Sequence, residues 1–251
     1  MRSAFELLPT LGTDPVFVAA DYDFTLVEEA PTPAEAMLSA ERRAVFVNLG
    51  VRDRFAIVTG RSEESAQAAT GLTAGLWVFG GGLMVVAPGT RWVHPEHDPT
   101  ALAAVRVGLC VALQSCPNAW VEEVGGMSIT VHWRQTPAAL HSAVEEVVRR
   151  VVGATKLRLI MDAERFGAMV EQPIDWTKGD GLQMLLGLVG WSGKVVALGD
   201  TLADDPMFLV AQQSGGFGVR VGERESTVAH ARLSGPSEVY TFLKALSGRG
   251  E

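Results

Sequence analysis

The sequence predicts an α/β protein with a Rossmann-like, doubly wound parallel-sheet core that is interrupted by a smaller α+β insert. Three observations carry that expectation. Apolar runs of strand length alternate with helical segments up to about residue 98, and the alternation resumes after Pro173. Between those limits strands follow one another directly, with helices in support. The first apolar run ends in Asp21-Tyr22-Asp23-Phe24-Thr25-Leu26, and open α/β sheets place their chemistry at such carboxyl ends.

Composition narrows the classes. A length of 251 residues accommodates a core carrying an insertion, and 47% hydrophobic with 20% charged residues describes an ordinary globular chain. No apolar run reaches membrane-spanning length, and Met1 to Leu11, with Arg2, Glu6 and Pro9, makes a poor signal peptide. Cys110 and Cys116 form neither a metal-ligand spacing nor a disulfide framework, so reduced cysteines in a cytoplasmic protein are expected. A net charge of -8 argues against a nucleic-acid partner. It also means that an anionic substrate must be held by a local cationic site or a metal rather than by the overall field.

Taken in order, Pro15 to Ala20 reads as a buried strand, too short for a helix and bounded by proline and charge. A helix is expected over 32–50, with Thr32 capping, Pro33 at the first helical position, Glu35 completing a capping box and Gly50 after the end. Arg54 to Val58 is a second strand ending at Thr59-Gly60-Arg61. Ser62 then opens a helix that Gly71 stops, and Leu76 to Phe79 is a third strand. Gly80-Gly81-Gly82 suits either close approach of backbone to a ligand or a hinge. Leu83 to Ala87 and Thr90 to His94 form a hairpin across Pro88-Gly89.

In the insert, residues 99–172, a helix over 99–115 precedes strands at 119–124 and 127–133 that turn at Gly125-Gly126. A helix over 137–152 and strands at 157–161 and 166–171 complete it. The core, residues 1–98 and 173–251, resumes with a helix over 178–188, a strand over 194–198 and Gly199-Asp200. A helix over 204–213, strands at 217–221 and 229–233, and a terminal helix capped by Ser237 follow.

The strand ends form a pattern. Asp21 and Asp23 leave the first strand, Thr59 and Arg61 the second, and Asp200 with Asp204 follow the strand Val195 to Leu198, while Lys178 opens a helix. Singly, each is common: Asp-x-Asp recurs by chance, Thr-Gly-Arg is an ordinary turn, and a helix-leading lysine is usually solvated. Together they collect two acidic pairs, a hydroxyl and a lysine at one edge of a sheet. Phosphoryl transfer needs an in-line nucleophile, cations for the equatorial oxygens and an acid for the leaving oxygen. Carboxylates serve as nucleophiles and also build Mg²⁺ sites.

This order of motifs resembles the haloacid dehalogenase-like phosphatases, and within them the trehalose-6-phosphate phosphatases. The matching segments are Val18 to Leu26, Ile57 to Arg61, Trp120 to Glu123 leading to Ser128 to Arg134, Val170 to Pro173 before Lys178-Gly179, and Ala197 to Phe208. The resemblance implies a C2-type cap formed by the insert, which closes over the sugar. It implies that Asp21 attacks phosphorus, that Asp23 protonates the leaving oxygen and then activates water, and that Thr59 and Lys178 hold phosphoryl oxygens. It places Mg²⁺ on Asp21, the backbone carbonyl of Asp23 and Asp200, with Asp204 supporting the site. Arg61 is expected to orient the fourth motif or to reach the substrate. Glu123, His132 and Arg134 are the candidate sugar-binding residues, although His132 also suits a purely structural role in its strand. Trp120 and Trp133 suit either sugar stacking or a core.

Four departures from the family pattern stand out. Phe24 occupies a position where the family usually has glycine, and Val124-Gly125-Gly126 replaces a segment that usually carries lysine. Thr201 follows Asp200 where a second aspartate is common, and Gly80-Gly81-Gly82 replaces a polar segment. None touches the phosphoryl machinery, and two bear on the sugar. The expectation is therefore a monomeric Mg²⁺-dependent phosphatase whose partner is a small-molecule sugar phosphate, trehalose 6-phosphate first, with no nucleic acid or membrane. A related sugar-phosphate or pseudodisaccharide-phosphate phosphatase is the alternative. A non-catalytic sugar-phosphate-binding module fits less well, because a binder needs no acid beside its nucleophile, and a phosphomutase is weaker still.

Overall fold

The computed structural model describes residues 1–49, 53–162, 164–224 and 228–249. The chain begins with β1 (Arg2–Ser3), α1 (Leu8–Leu11), β2 (Phe17–Ala20), α2 (Ala40–Leu49), β3 (Arg54–Val58), α3 (Glu63–Thr70) and β4 (Leu76–Phe79). Next come β5 (Met84–Ala87), β6 (Thr90–Val93), α4 (Pro99–Ala112), β7 (Trp120–Val124), β8 (Ser128–His132), α5 (His141–Gly153), β9 (Arg158–Asp162) and β10 (Gly167–Glu171). It finishes with α6 (Lys178–Leu188), β11 (Val195–Gly199), α7 (Asp205–Gln213), β12 (Phe217–Val221), β13 (Ala231–Leu233) and α8 (Pro236–Ser247). Two compact units result, one of Met1–Val93 with Trp176–Glu251 and the other of His94–Asp175.

The first unit is built on a nine-stranded sheet of order β1-β13-β12-β11-β2-β3-β4-β5-β6. Pairing is parallel from β1 to β4, and β5 and β6 extend the sheet as an antiparallel hairpin. Every residue of β2 is buried, as expected of a parallel strand covered on both faces. On one face Phe17, Ala19, Ala56, Val58 and Ala197 pack against Leu182 and Leu185 of α6 and Met207 and Phe208 of α7. On the other, Phe46 of α2 stacks on Phe55 of β3 at 4.3 Å and lies 5.7 Å from Tyr240 of α8. The chain runs outward from β2 through β3 to β4 and returns to β11 on the opposite side of β2. The strand order therefore reverses between β2 and β11, and the crevice at their carboxyl ends is where such sheets bind ligands.

The second unit is a four-stranded antiparallel sheet of order β7-β8-β10-β9. Its helices α4 and α5 cover one face, packing Leu102, Leu109, Val144 and Val148 onto Ile129, Val131, Ala168 and Val170. Because side chains alternate along a strand, Trp120, Glu122, Thr130, His132 and Met169 share the opposite face.

Two expectations about helix ends are corrected. The helix placed at 32–50 begins only at Ala40. The Thr32 hydroxyl donates to Glu35 Oε1 at 2.7 Å instead of capping. The buried Tyr22 hydroxyl donates to the Ala36 carbonyl at 2.8 Å, and the Leu38 amide donates to the Ala69 carbonyl. Tertiary bonds thus take up backbone groups that a helix needs. Gly50, expected after its end, lies outside the described residues. Ser237 does not cap α8 but sits inside it, since Pro236 takes the first position after Gly235. Ser62, in contrast, accepts the Ser65 amide at the start of α3, and Gly71 ends that helix in the left-handed region.

The glycine stretch after β4 packs against the start of α6. The Gly81 amide donates to the Thr59 carbonyl at 3.2 Å, and Trp176 Nε1 donates to the Gly82 carbonyl at 2.9 Å. Gly82 has φ +118°, and a Cβ there would lie 2.2 Å from the Thr177 carbonyl oxygen. Gly82→Ala is therefore expected to cost at least about 2 kcal/mol, a fall of roughly 5 °C in Tm. Gly187→Ala, inside α6 with no atom within 4 Å of its would-be Cβ, is expected to stabilise by about 0.5–1 kcal/mol. Thermal unfolding of both variants checks the opposite signs.

Candidate active site

Asp21 leaves β2 at the point where the strand order reverses, its amide donating to the Leu198 carbonyl of β11 at 2.9 Å. Its side chain is 9% exposed and takes a bond from Lys178 Nζ at 2.8 Å. The same ammonium bonds Asp204 Oδ1 at 2.7 Å, and the Asp204 side chain is fully buried. Lys178 is the first residue of α6, where the helix dipole disfavours a cation. Thr177 caps that helix and Asp180 closes the capping box, so the end is held by local bonds while two carboxylates hold the lysine.

Asp204 is fixed by its own turn. Its Oδ2 accepts the Thr201 amide at 2.9 Å and the Thr201 hydroxyl at 3.2 Å. Thr201, the departure from a second aspartate, thereby holds the Asp204 carboxylate in place. Asp200 follows β11 directly and is buried. Asp21, Asp200 and Asp204 each present a carboxylate oxygen, and these atoms lie within 4.8 Å of one another. Burial pushes the Asp21 carboxyl well above its ordinary range, Lys178 opposes this, and Asp204 and Asp200 add to it. Burial works against the Lys178 charge, but Asp204 and Asp21 overcome it and push the ammonium upward. Two of the three carboxylates thus share one ammonium, and Asp200 lies beside them.

Thr59 is fully buried at the end of β3, next to β2, and its Oγ1 accepts the Arg61 amide at 3.1 Å. Asp23 turns elsewhere. Both of its oxygens are taken by Arg61, at 2.9 Å from Nε and 2.6 Å from Nη2. The Asp23 carboxylate is thus not part of the acidic triad, and its expected place in a metal site rests on its backbone carbonyl alone.

The sugar-binding candidates of the second unit separate. His132 Nε2 lies 2.9 Å from Glu122 Oε2, and its ring stacks on Trp120 at 4.1 Å, all on the face away from the helices. Glu123 points the other way and pairs with Arg106 of α4 at 3.3 Å, so it does not join His132. Adjacent residues of a strand face opposite sides, and the pair in register with β8 decides which glutamate is which. Arg134 is exposed just beyond β8, and Trp133 is a core residue.

Sequence reasoning passed over Arg220. This fully buried arginine of β12 bonds the Thr201 carbonyl, reaches Asp205 Oδ1 at 2.5 Å and lies over the Phe208 ring. It ties down the loop that carries Asp200 and Asp204. The signal was a charge inside an otherwise apolar strand, Phe217-Gly218-Val219-Arg220-Val221.

Sheet order, switch-point carboxylates and the lysine between them define a haloacid dehalogenase-like phosphatase core. Comparison with solved structures agrees: the C-terminal domain of Candida albicans trehalose-6-phosphate phosphatase superposes with a TM-score of 0.78 at 20% identity, covering 98% of each chain. Among curated proteins, probable trehalose-phosphate phosphatase C of Arabidopsis thaliana is 29% identical over 248 residues, spanning 92% of this chain and 76% of that protein. Trehalose 6-phosphate phosphatase RA3 of Zea mays is 28% identical over 251 residues, spanning 91% and 69%. The chain belongs to the trehalose-phosphatase family, whose model matches residues 19–237.

Removing the Arg220 charge deprives Asp205 of its buried counter-ion. Arg220→Met is expected to destabilise by about 3–5 kcal/mol, and adding Asp205→Asn to recover part of that loss. Denaturant titration of the single and double variants measures it.

Proposed function

We propose that the protein hydrolyses trehalose 6-phosphate to trehalose and phosphate through an aspartyl-phosphate on Asp21. The observation that carries this reading is Lys178 bonded at once to Asp21 and Asp204 beside Asp200, in a chain of the trehalose-phosphatase family. An oxygen of Asp21 bonds to phosphorus as the bond to the sugar oxygen breaks, and Asp23 gives that oxygen its proton. Asp23 then takes a proton from water, whose oxygen attacks phosphorus and frees the Asp21 carboxylate and inorganic phosphate. Lys178 and Thr59 hold the phosphoryl oxygens, and Lys178 relieves repulsion between the incoming phosphate and the carboxylates.

The donor set suits Mg²⁺, since three buried carboxylates offer hard oxygens within 4.8 Å of one another. Asp21 and Asp200 would hold the ion with the Asp23 carbonyl, while Asp204, already engaged by Lys178 and Thr201, supports the site. Such an ion supplies positive charge to the transferring phosphoryl group. On the second unit, taken by itself, His132, Glu122 and Trp120 offer hydroxyl partners and an aromatic face, chemistry suited to a sugar.

One observation favours a second reading, a related sugar phosphate as substrate. Phe24, half-buried next to Asp23, puts an aromatic ring where the family usually has no side chain, and it holds φ +60°, a backbone conformation that favours glycine. Phosphate release with Mg²⁺ across a panel of sugar phosphates decides. Trehalose 6-phosphate is expected to show the highest kcat/KM, with activity falling at least about a thousandfold in Asp21→Asn and vanishing on chelation. Release from many sugar phosphates but none from trehalose 6-phosphate excludes this substrate.

A further inference from the structure

Arg61 lies just beyond β3, near the two acids of the first motif, and its geometry says which of them it serves. The guanidinium is 7% exposed, and its Nε and Nη2 bond the two oxygens of Asp23 at 2.9 and 2.6 Å. This is the fork-on-fork arrangement that fixes both the position and the plane of a carboxylate. Further contacts hold the arginine. Nη1 lies 3.5 Å from Ser65 Oγ, and the guanidinium sits over the Tyr22 ring at 4.8 Å. The Arg61 amide donates to Thr59 Oγ1, and its carbonyl accepts the Gly80 amide. Tyr22 is itself fully buried and anchored through its hydroxyl.

A cation steered toward phosphate would direct this edge at the cluster of Asp21 and Lys178. Here the edge is given to Asp23, whose side chain remains 37% exposed and so accessible to a leaving group. We propose that Arg61 is a positioning residue for the proton-transferring carboxylate and acts on departure of the leaving group rather than on the phosphoryl group. The inference rests on the reading of Asp23 as acid and base. Proton transfer needs the carboxyl within hydrogen-bond reach of the leaving oxygen, and small misplacements of a catalytic group cost about a hundredfold. A sugar alkoxide leaves poorly without that proton, whereas p-nitrophenolate leaves without help. Loss of Arg61 therefore has an effect that depends on the leaving group, which a general loss of packing does not.

The test compares kcat/KM of wild type, Arg61→Gln, Arg61→Lys and Asp23→Asn on trehalose 6-phosphate, glucose 6-phosphate and p-nitrophenyl phosphate. Asp23→Asn is expected to lose about 100-fold or more on the sugar phosphates and only a few-fold on the aryl ester. Arg61→Gln is expected to share that selective pattern more weakly, with Arg61→Lys between it and wild type. Selective loss in both Asp23→Asn and Arg61→Gln supports the inference. Equal losses across substrates in Arg61→Gln, beside a selective Asp23→Asn, overturn it and leave the acid assignment standing. Equal losses in Asp23→Asn overturn the acid assignment and the inference together. Should Arg61→Gln fail to fold, Arg61→Lys decides by the same ratio of sugar to aryl ester.

Discussion

A buried ammonium between two carboxylates governs the architecture of this protein. Lys178 can sit at the unfavourable end of α6 only because Asp21 and Asp204 compensate it, and those carboxylates can be buried only because Lys178 is there. The three residues come from distant parts of the chain, so their meeting sets how β2, α6 and the loop after β11 are placed. Each partner is then secured separately. The Thr177–Asp180 box fixes the lysine's helix, Thr201 fixes Asp204, and Arg220 fixes the loop around both.

The same economy explains the close packing nearby. Gly82 lets the end of β4 lie against the carbonyl of Thr177, one residue before the lysine. Gly199 lies directly before Asp200, and a Cβ there would stand 2.4 Å from Asp204 side-chain carbon. Positions that look like flexible punctuation are where backbone must come near the charged cluster. The two acids of the first motif, one residue apart, end in different environments. Asp21 is enclosed with a lysine, and Asp23 is half-exposed with an arginine. In the proposed mechanism that division separates nucleophile from proton carrier, two carboxylates with distinct tasks in distinct environments.

Much of this was legible in the chain. Buried parallel strands are continuous apolar runs, so β2, β3 and β11 declared themselves, and a candidate site residue, Asp21, Thr59 or Asp200, directly follows each. Lys178 was readable as a helix-leading lysine in the right order among the acids. What was not legible depended on distant partners. The pattern Thr32-Pro33-Glu35 is a sound local signal for a helix start, yet the Tyr22 hydroxyl claims the Ala36 carbonyl and the helix waits until Ala40. Choosing between Glu122 and Glu123 required the register of β7 on β8, in which Trp120 faces His132. The two-residue strand β1 exists only by pairing with β13, at the far end of the chain. Arg220 announced itself only as a charge in an apolar strand.

In the proposed mechanism the lysine-bound carboxylate of Asp21, and no other group, carries the phosphoryl. An aspartyl phosphate is reduced by borohydride to homoserine, which peptide mass spectrometry locates. Rapid acid quench during turnover of trehalose 6-phosphate, followed by borohydride, should convert position 21 and leave Asp23, Asp200 and Asp204 as aspartate. Turnover with no homoserine at any quench time, or homoserine at one of the other aspartates, would contradict the mechanism.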